Sequence, residues 1–142
     1  MKENRWNLAL ILGLLLTLVL ACKFSASTAN ISGVKLGKDK TVSRETSNFG
    51  PTDSIYSVAE ISNSVGKMKV KGRLAVDDVE GQKSGPIPGL EDTVELNGSG
   101  TATFTFTPPS SGWPKGKYKL EILMLDDSGQ QKDQKTVNFT VS

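Results

Sequence analysis

The residues that could carry chemistry in this sequence are mainly carboxylates, because the chain has no histidine and a single cysteine. Asp77, Asp78 and Glu80 form one acidic cluster, and Asp126 and Asp127, with Asp133 nearby, form a second. Carboxylate oxygens are the ligands that calcium prefers, and paired carboxylates also catalyse glycoside hydrolysis. The spacing fits no calcium-loop pattern, and Asp-rich turns commonly satisfy their own backbone donors. We therefore expect no metal site and no catalytic residue, with a small metal-dependent hydrolase built on the two clusters as an alternative.

The missing residue types exclude several other activities. Without histidine the chain can form no Ser-His-Asp or Cys-His site and has no imidazole metal ligand. One cysteine cannot make an internal disulfide or a cysteine-rich zinc site. The glycine-containing stretches 85–89 and 98–100 precede no helical pattern, so neither forms a phosphate-binding loop of the P-loop type. We expect no cofactor and no enzymatic activity.

The beginning of the chain has the layout of an export signal. Lys2 and Arg5 precede an apolar run over residues 8–21. At about 1.5 Å per residue this run spans roughly 21 Å, which is short of the roughly 30 Å hydrocarbon core of a bilayer. It ends in a small residue, Ala21, of the kind found at cleavage sites. These features predict a signal peptide over residues 1–21 rather than a permanent transmembrane helix.

The sequence Val19-Leu20-Ala21-Cys22 resembles the bacterial lipobox. The resemblance implies a lipoprotein in which Cys22 carries fatty-acyl chains such as palmitate and becomes the first residue; the alternative is a plain secretory peptide. Each buried methylene contributes about 0.8 kcal/mol, so a multiply acylated cysteine stays on a membrane. Residues 22–30 are then the lipidated cysteine and a tether of at most about 26 Å. The expected location is the cell membrane or outer membrane, facing the periplasm or the exterior.

The remainder of the chain alternates between apolar and polar residues with a period of two, and it has no long stretch of helical periodicity. In the clearest run, residues 67–76, Met68 and Val70 share one face while lysines occupy the other. The predicted strands are 31–36, 54–61, 67–76, 92–96, 101–107, 117–125 and 132–141. About seven short strands predict an all-β domain over residues 31–142, an immunoglobulin-like (fibronectin-III-like) two-sheet sandwich, with a small barrel as the alternative.

The segment GWPKGKYKLEI, residues 112–122, leads into the penultimate predicted strand. It resembles the corresponding segment of immunoglobulin-like domains in bacterial surface and lipid-anchored proteins. The resemblance implies a tyrosine corner in which the Tyr118 phenol bonds nearby backbone and has a structural role. Trp113 is expected to pack at the end of the sandwich. The alternative is a carbohydrate-binding module that uses Trp113 and Tyr56.

A basic sheet face is the most informative surface feature. In the immunoglobulin arrangement the third and sixth strands pair, and these are the runs 67–76 and 117–125. Their outward cations are Lys67, Lys69, Lys71, Arg73, Lys117 and Lys119. Like charges directly across a ladder cost up to about 1 kcal/mol each, so we expect a bound anion to relieve them. The alternative is a solvated face without a partner.

These features predict a membrane-anchored envelope lipoprotein whose domain is a non-catalytic binding or scaffolding module. The partners we expect are the membrane, reached through the lipid anchor, and an anionic envelope polymer, lipid headgroup or protein that meets the basic face. With 17 Lys and Arg residues against 15 Asp and Glu residues, the chain is too close to neutral to predict a nucleic-acid partner.

Overall fold

A computed structural model describes residues 28–142 of the chain. The predicted signal peptide, Cys22 and most of the predicted tether lie outside the described residues. Within the described range the chain is all-β, and no helix there could span a membrane. The strands are β1 (Asn30–Gly37), β2 (Asn48–Phe49), β3 (Ile55–Ser62), β4 (Lys67–Val79), β5 (Gly85–Asn97), β6 (Gly100–Phe106), β7 (Gly116–Asp126) and β8 (Gln131–Val141).

The strands form two sheets, so the predicted two-sheet sandwich is confirmed and the barrel alternative is wrong. The smaller sheet has the order β1-β3-β6, and the larger one has the order β2-β8-β7-β4-β5. All neighbours run antiparallel except the short pair of β2 and β8. The sequence pattern missed β2, because a strand of two residues is too short to show alternation.

The core between the sheets consists of the apolar residues that alternate with polar ones along the strands. Met68, Val70 and Leu74 of β4 are buried, whereas the lysines between them face outward. The opposite sheet supplies Phe104, whose ring lies directly over Gly72: a Cβ atom at position 72 would come within 2.9 Å of ring atoms. Gly72 therefore makes room for Phe104. The bulges of β4 lie farther along the strand.

The larger sheet ends in a strand longer than predicted. β5 covers residues 85–97, whereas the sequence predicted only 92–96. Its first half contains Pro86 and Pro88 and lacks alternation, which concealed it. Proline is tolerated because β5 is an edge strand. On its open side no neighbouring strand needs the backbone N–H that proline lacks.

The two ends of the sandwich differ in their connections. At one end, which we call the turn end, β3–β4, β5–β6 and β7–β8 are joined by short turns, and β1 begins beside them: Asn30 pairs with Ser62. The opposite end, which we call the loop end, carries the longer connections 38–47, 80–84 and 107–115. The described chain therefore starts at the turn end, and its C-terminal strand finishes at the loop end beside Gly116.

Candidate functional site

The basic face is built from β4 and β7, which are neighbours as the sequence predicted, but the two rows of cations do not lie side by side. In the antiparallel register Lys69 faces Leu125, Lys71 faces Leu123 and Arg73 faces Glu121. Lys119 and Lys117 lie farther along, beside Ala75 and Asp78 of β4. The expectation of like charges directly across this ladder is therefore wrong, because it assumed an offset that alternation alone does not specify.

Carboxylates of the protein itself neutralise half of the predicted cations. Arg73 donates to Glu121, with both side chains partly buried. The Lys119 ammonium lies 3.1 Å from an Asp77 carboxylate oxygen. Exposed ion pairs of this kind are worth about 0–1 kcal/mol each, but they cancel the local potential that an external anion would meet.

The edge strand β5 adds a second row of acids on the other side of β4. Glu91 lies opposite Arg73 in the ladder and comes within 3.7 Å of Lys71, and Glu95 is the register partner of Lys69. Glu91 lies outside the predicted strand 92–96, and alternation alone does not specify the register that places Glu95 of that strand opposite Lys69. Among the described residues, the ion pairs within 4.0 Å include none with Lys67, Lys69 or Lys117.

Two leucines interrupt the outer face of β7. Leu123 and Leu125 are half-buried, although their outward position in the strand predicts exposure. Their register partners are Lys71 and Lys69 on β4 and two glutamines, Gln134 and Gln131, on β8. Long polar side chains of this type cover apolar surface with their methylene stems while the polar heads remain in water. The outer face is therefore a mixed surface and not a continuous cationic one.

Trp113 and Tyr118 hold the loop end together. The indole Nε1 of Trp113 donates to the Asp53 carbonyl at 2.8 Å, and only 4% of the residue is exposed. The Tyr118 hydroxyl donates to the Pro114 carbonyl at 2.6 Å, which is the contact that a tyrosine corner implies. Its ring stacks on Phe139 at 5.4 Å, and burial raises the pKa of the phenol.

The burial of Trp113 also bears on the carbohydrate-binding alternative. A stacking platform needs an exposed aromatic face, and the indole presents almost none. Tyr56 lies half-buried on β3 of the smaller sheet, whereas Trp113 lies in the connection 107–115. With its indole buried, Trp113 offers no exposed stacking face for a sugar.

A cleft of about 410 Å³ opens beside Trp113 at the loop end. Its lining includes Ile87, Pro88 and Leu90 of β5, together with Trp113 and Tyr118. The volume is within the range of about 300–1,000 Å³ that small-molecule sites occupy. No sequence signal indicated this cleft, because β5 and the segment before β7 meet only in the folded chain.

The two acidic clusters lie at opposite ends of the larger sheet. Asp77 and Asp78 belong to the strand β4 and not to a loop, and they lie at the loop end. Asp126 lies at the turn end and accepts hydrogen bonds from the Ser128 hydroxyl at 2.6 Å and the Gln130 amide at 2.9 Å. These bonds, with help from Lys132, lower the pKa of Asp126 to about 2. Over residues 28–142 no group of three or more acidic, cysteine or histidine side chains is placed to hold a metal ion.

Comparison with protein-family models and with curated protein sequences finds no match to this chain. Among solved structures, a Niemann-Pick type C2 protein from the Japanese carpenter ant is 12% identical with a TM-score of 0.49, covering 84% of this chain and 96% of that one. The PmoD soluble domain from Methylocystis is 15% identical with a TM-score of 0.45, covering 77% and 89%.

A beta-glucosidase from Listeria innocua, solved in complex with glucose, is 16% identical with a TM-score of 0.46 over 78% of this chain. The chain spans only 16% of the length of that enzyme. At these identities and scores the similarities carry no functional argument, and the fold rests on the strands and their pairing.

Proposed function

We propose that the protein is a lipid-anchored lipoprotein of the bacterial cell envelope and that its sandwich is a non-catalytic binding or scaffolding module. The observation that carries the proposal is the apolar run ending in Val19-Leu20-Ala21-Cys22, a short distance before the first strand at Asn30. Acylation of Cys22 restricts the domain to the neighbourhood of a membrane, because the intervening chain extends about 26 Å at most. A domain restricted in this way meets partners at the envelope surface.

The chemistry of the carboxylates supports a non-catalytic role. A general acid or base needs a carboxyl group that can exchange protons with a substrate near neutral pH. Asp126 is held ionised by hydrogen bonds from its own turn, and Asp77 is paired with Lys119. Both side chains stabilise local structure, and Asp126 is poorly suited to act as a general acid.

The contact surface that we propose is the outer face of β4 and β7, and its charge is narrower than the sequence indicated. Of the six predicted cations, Arg73, Lys71 and Lys119 have acidic partners on the protein. An anionic lipid headgroup therefore meets mainly Lys67 and Lys69 at the turn end, and an envelope polymer or acidic protein reaches Lys117 at the loop end as well. Each lysine near a charged membrane contributes about 1 kcal/mol.

The anchor is tested by mass spectrometry of the protein purified from a bacterial envelope. The expected result is a mature chain that begins at an acylated Cys22 and leaves the membrane only with detergent. The Cys22→Ser variant should lose the acyl mass and its membrane association. An unmodified thiol at position 22, or wild-type protein recovered in the soluble fraction, would overturn the proposal.

The contact surface is tested in the Cys22→Ser background, where the anchor cannot mask weak binding. The domain with no further substitution should bind vesicles that contain phosphatidylglycerol at low salt and dissociate from them at high salt. Lys69→Glu should weaken binding at least fivefold, the effect of about 1 kcal/mol. The matched control is Lys40→Glu, which reverses an exposed lysine in the loop 38–47 and should leave binding unchanged. Equal losses in the two variants would show that net charge, not this face, is responsible.

A second candidate function is the binding of an apolar ligand in the cleft at the loop end. The observation that favours it is the apolar part of the lining, to which Ile87, Leu90 and Trp113 contribute. The test is titration with the fluorescent probe N-phenylnaphthylamine. Binding that Leu90→Asp abolishes but Thr93→Asp, at an exposed position of the same strand, leaves intact would support the cleft. Absence of saturable binding by the wild-type protein would refute it.

A further inference from the structure

The turn end is the part of the domain from which the chain leads back to Cys22. Asn30 pairs with Ser62, and its side chain accepts a bond of 3.4 Å from Asn63 in the β3–β4 turn. The Ile31 amide is fixed by an Asp133 carboxylate at 2.8 Å, so the first strand cannot easily detach and turn away. Given the proposed acylation of Cys22, on which this inference rests, a tether of about 26 Å begins at this end of the sandwich.

The β3–β4 turn presents an apolar side chain at the same end. Val65 is 94% exposed, and it is the one large hydrophobic residue in the described range that stands fully in water. Asn63 and Gly66 in the same turn have positive φ, 56° and 85°, which is the left-handed backbone that tight turns use.

Hydrogen bonds to the adjacent β5–β6 turn hold Val65 in place. The Gly98 amide donates to the Gly66 carbonyl at 2.7 Å, and the Ser64 amide donates to the Ser99 hydroxyl at 3.0 Å. A single exposed valine is common on protein surfaces and means little alone. Here its turn is braced on both sides and lies at the end where the predicted tether starts.

The charges around Val65 suit a headgroup layer more than a protein partner. Lys67 and Lys69 follow on β4 without an ion pair, and Lys132 is balanced by Asp126 at 3.4 Å. Asp127 and Glu95 keep this end close to neutral. A small apolar tip with lysines beside it can enter the interfacial region of a bilayer without burying an unpaired charge deeply.

We infer that the domain stands end-on at the membrane, with Val65 in the headgroup region and the loop end directed away from the lipid. The turn end therefore contacts the membrane that holds the anchor. Because the thirteen residues of β4 extend about 40 Å at roughly 3.3 Å each, the cleft beside Trp113 lies far from the bilayer. It is then accessible to partners in the periplasm or the exterior.

The experiment uses the full acylated protein in vesicles of phosphatidylethanolamine and phosphatidylglycerol. Acylation occupies the native thiol, so Val65→Cys provides a single labelling site for the environment-sensitive dye NBD. Matched probes are Ser110→Cys at the loop end and Thr136→Cys on the outer face of β8, both exposed. Doxyl-labelled lipids should quench the dye at position 65 at least threefold more than at position 110 or 136.

Each other outcome overturns a defined part of the inference. Stronger quenching at 136 than at 65 would mean that the domain lies on its sheet face. Vesicle-bound protein with no quenched probe would mean that the tether holds the domain clear of the lipid. In both cases the lipid anchor survives. Protein that fails to float with vesicles and carries a free thiol at position 22 would overturn the anchor and the orientation together.

A second pair of variants tests Val65 itself. With the dye moved to Asp127→Cys in the neighbouring turn, Val65→Asp should reduce quenching at least twofold, and Val65→Leu should preserve it. The side chain packs against little, so both variants are expected to fold. Equal quenching in the two would show that Val65 does not contact the bilayer.

Discussion

The two ends of the sandwich are held together by different kinds of contact. The turn end consists of short connections braced by backbone hydrogen bonds, and its exposed valine contributes almost nothing to the core. The loop end has long connections that have little regular pairing, and buried aromatic side chains hold them: Trp113 is bonded to Asp53 and Tyr118 to Pro114. Stability is therefore sensitive to side chains at the loop end and to backbone and polar turn contacts at the turn end.

The largest effect that separates the two ends is expected from Trp113→Ala. The substitution empties a buried site and removes the bond to the Asp53 carbonyl, so we expect a loss of about 3–5 kcal/mol in the free energy of unfolding. Urea denaturation of the domain measures it. A loss below about 1 kcal/mol would show that the loops are held by something else.

Tyr118→Phe tests the polar part of the same end. The ring stack on Phe139 is retained while the hydroxyl that donates to Pro114 is lost, so we expect a decrease of about 1 kcal/mol. The control is Tyr56→Phe, in a half-buried tyrosine on β3. If both variants lose the same free energy of unfolding, the hydrogen bond from Tyr118 to Pro114 has no special role.

The pH dependence of stability should be similar at the two ends, because an aspartate caps a turn at each. Hydrogen bonds from Thr41 and Ser43 lower the pKa of Asp39 at the loop end to about 2, and those from Ser128 and Gln130 do the same for Asp126. A lowered carboxyl pKa stabilises the fold above the unfolded pKa of about 3.9, and this stabilisation is lost as the pH falls through about 2.

Thermal unfolding between pH 5 and pH 2 measures this loss in the wild type and the variants. Asp126→Asn and Asp39→Asn should each lower Tm at neutral pH and flatten its fall toward pH 2. An unchanged acid profile in the double variant would assign the acid sensitivity to other carboxylates.

The smallest effect is expected at Val65. Because the side chain is exposed, Val65→Asp should change the unfolding free energy by less than about 0.5 kcal/mol in the isolated domain. Denaturation beside the wild type checks this. A larger loss would mean that Val65 serves the fold, and the membrane experiment would then need the milder Val65→Ser.

Much of the fold follows from local pattern. The strands over residues 31–36, 54–61, 67–76, 101–107, 117–125 and 132–141 were predictable because apolar and polar residues alternate along most of their length. β5 was mostly missed because an edge strand with two prolines buries too little for its alternation to show. The segment that contains Trp113 and Tyr118 was recognisable from its sequence. The cleft beside these residues was not, because β5 supplies part of its lining.

The charge partners on the candidate basic face could not be predicted from the sequence pattern. Alternation places Lys69, Lys71 and Arg73 outward, but it contains no information on the residues that lie across the ladder. The offset of β7 along β4 places Glu121 beside Arg73, and the hidden strand β5 places Glu91 near Lys71. The charge of the face was therefore overestimated.

The amino-acid sequence alone determined the all-β class, because the period of two is a property of neighbouring residues, and it supplied the prediction of an acylated Cys22. The tertiary structure decided which charges meet, where the cleft opens and which end the N-terminal chain reaches. These depend on contacts between residues far apart in the chain: Ile31 with Asp133, Arg73 with Glu121, and Gly66 with Gly98 across two turns. Register and layer packing create such contacts, and no local pattern encodes them.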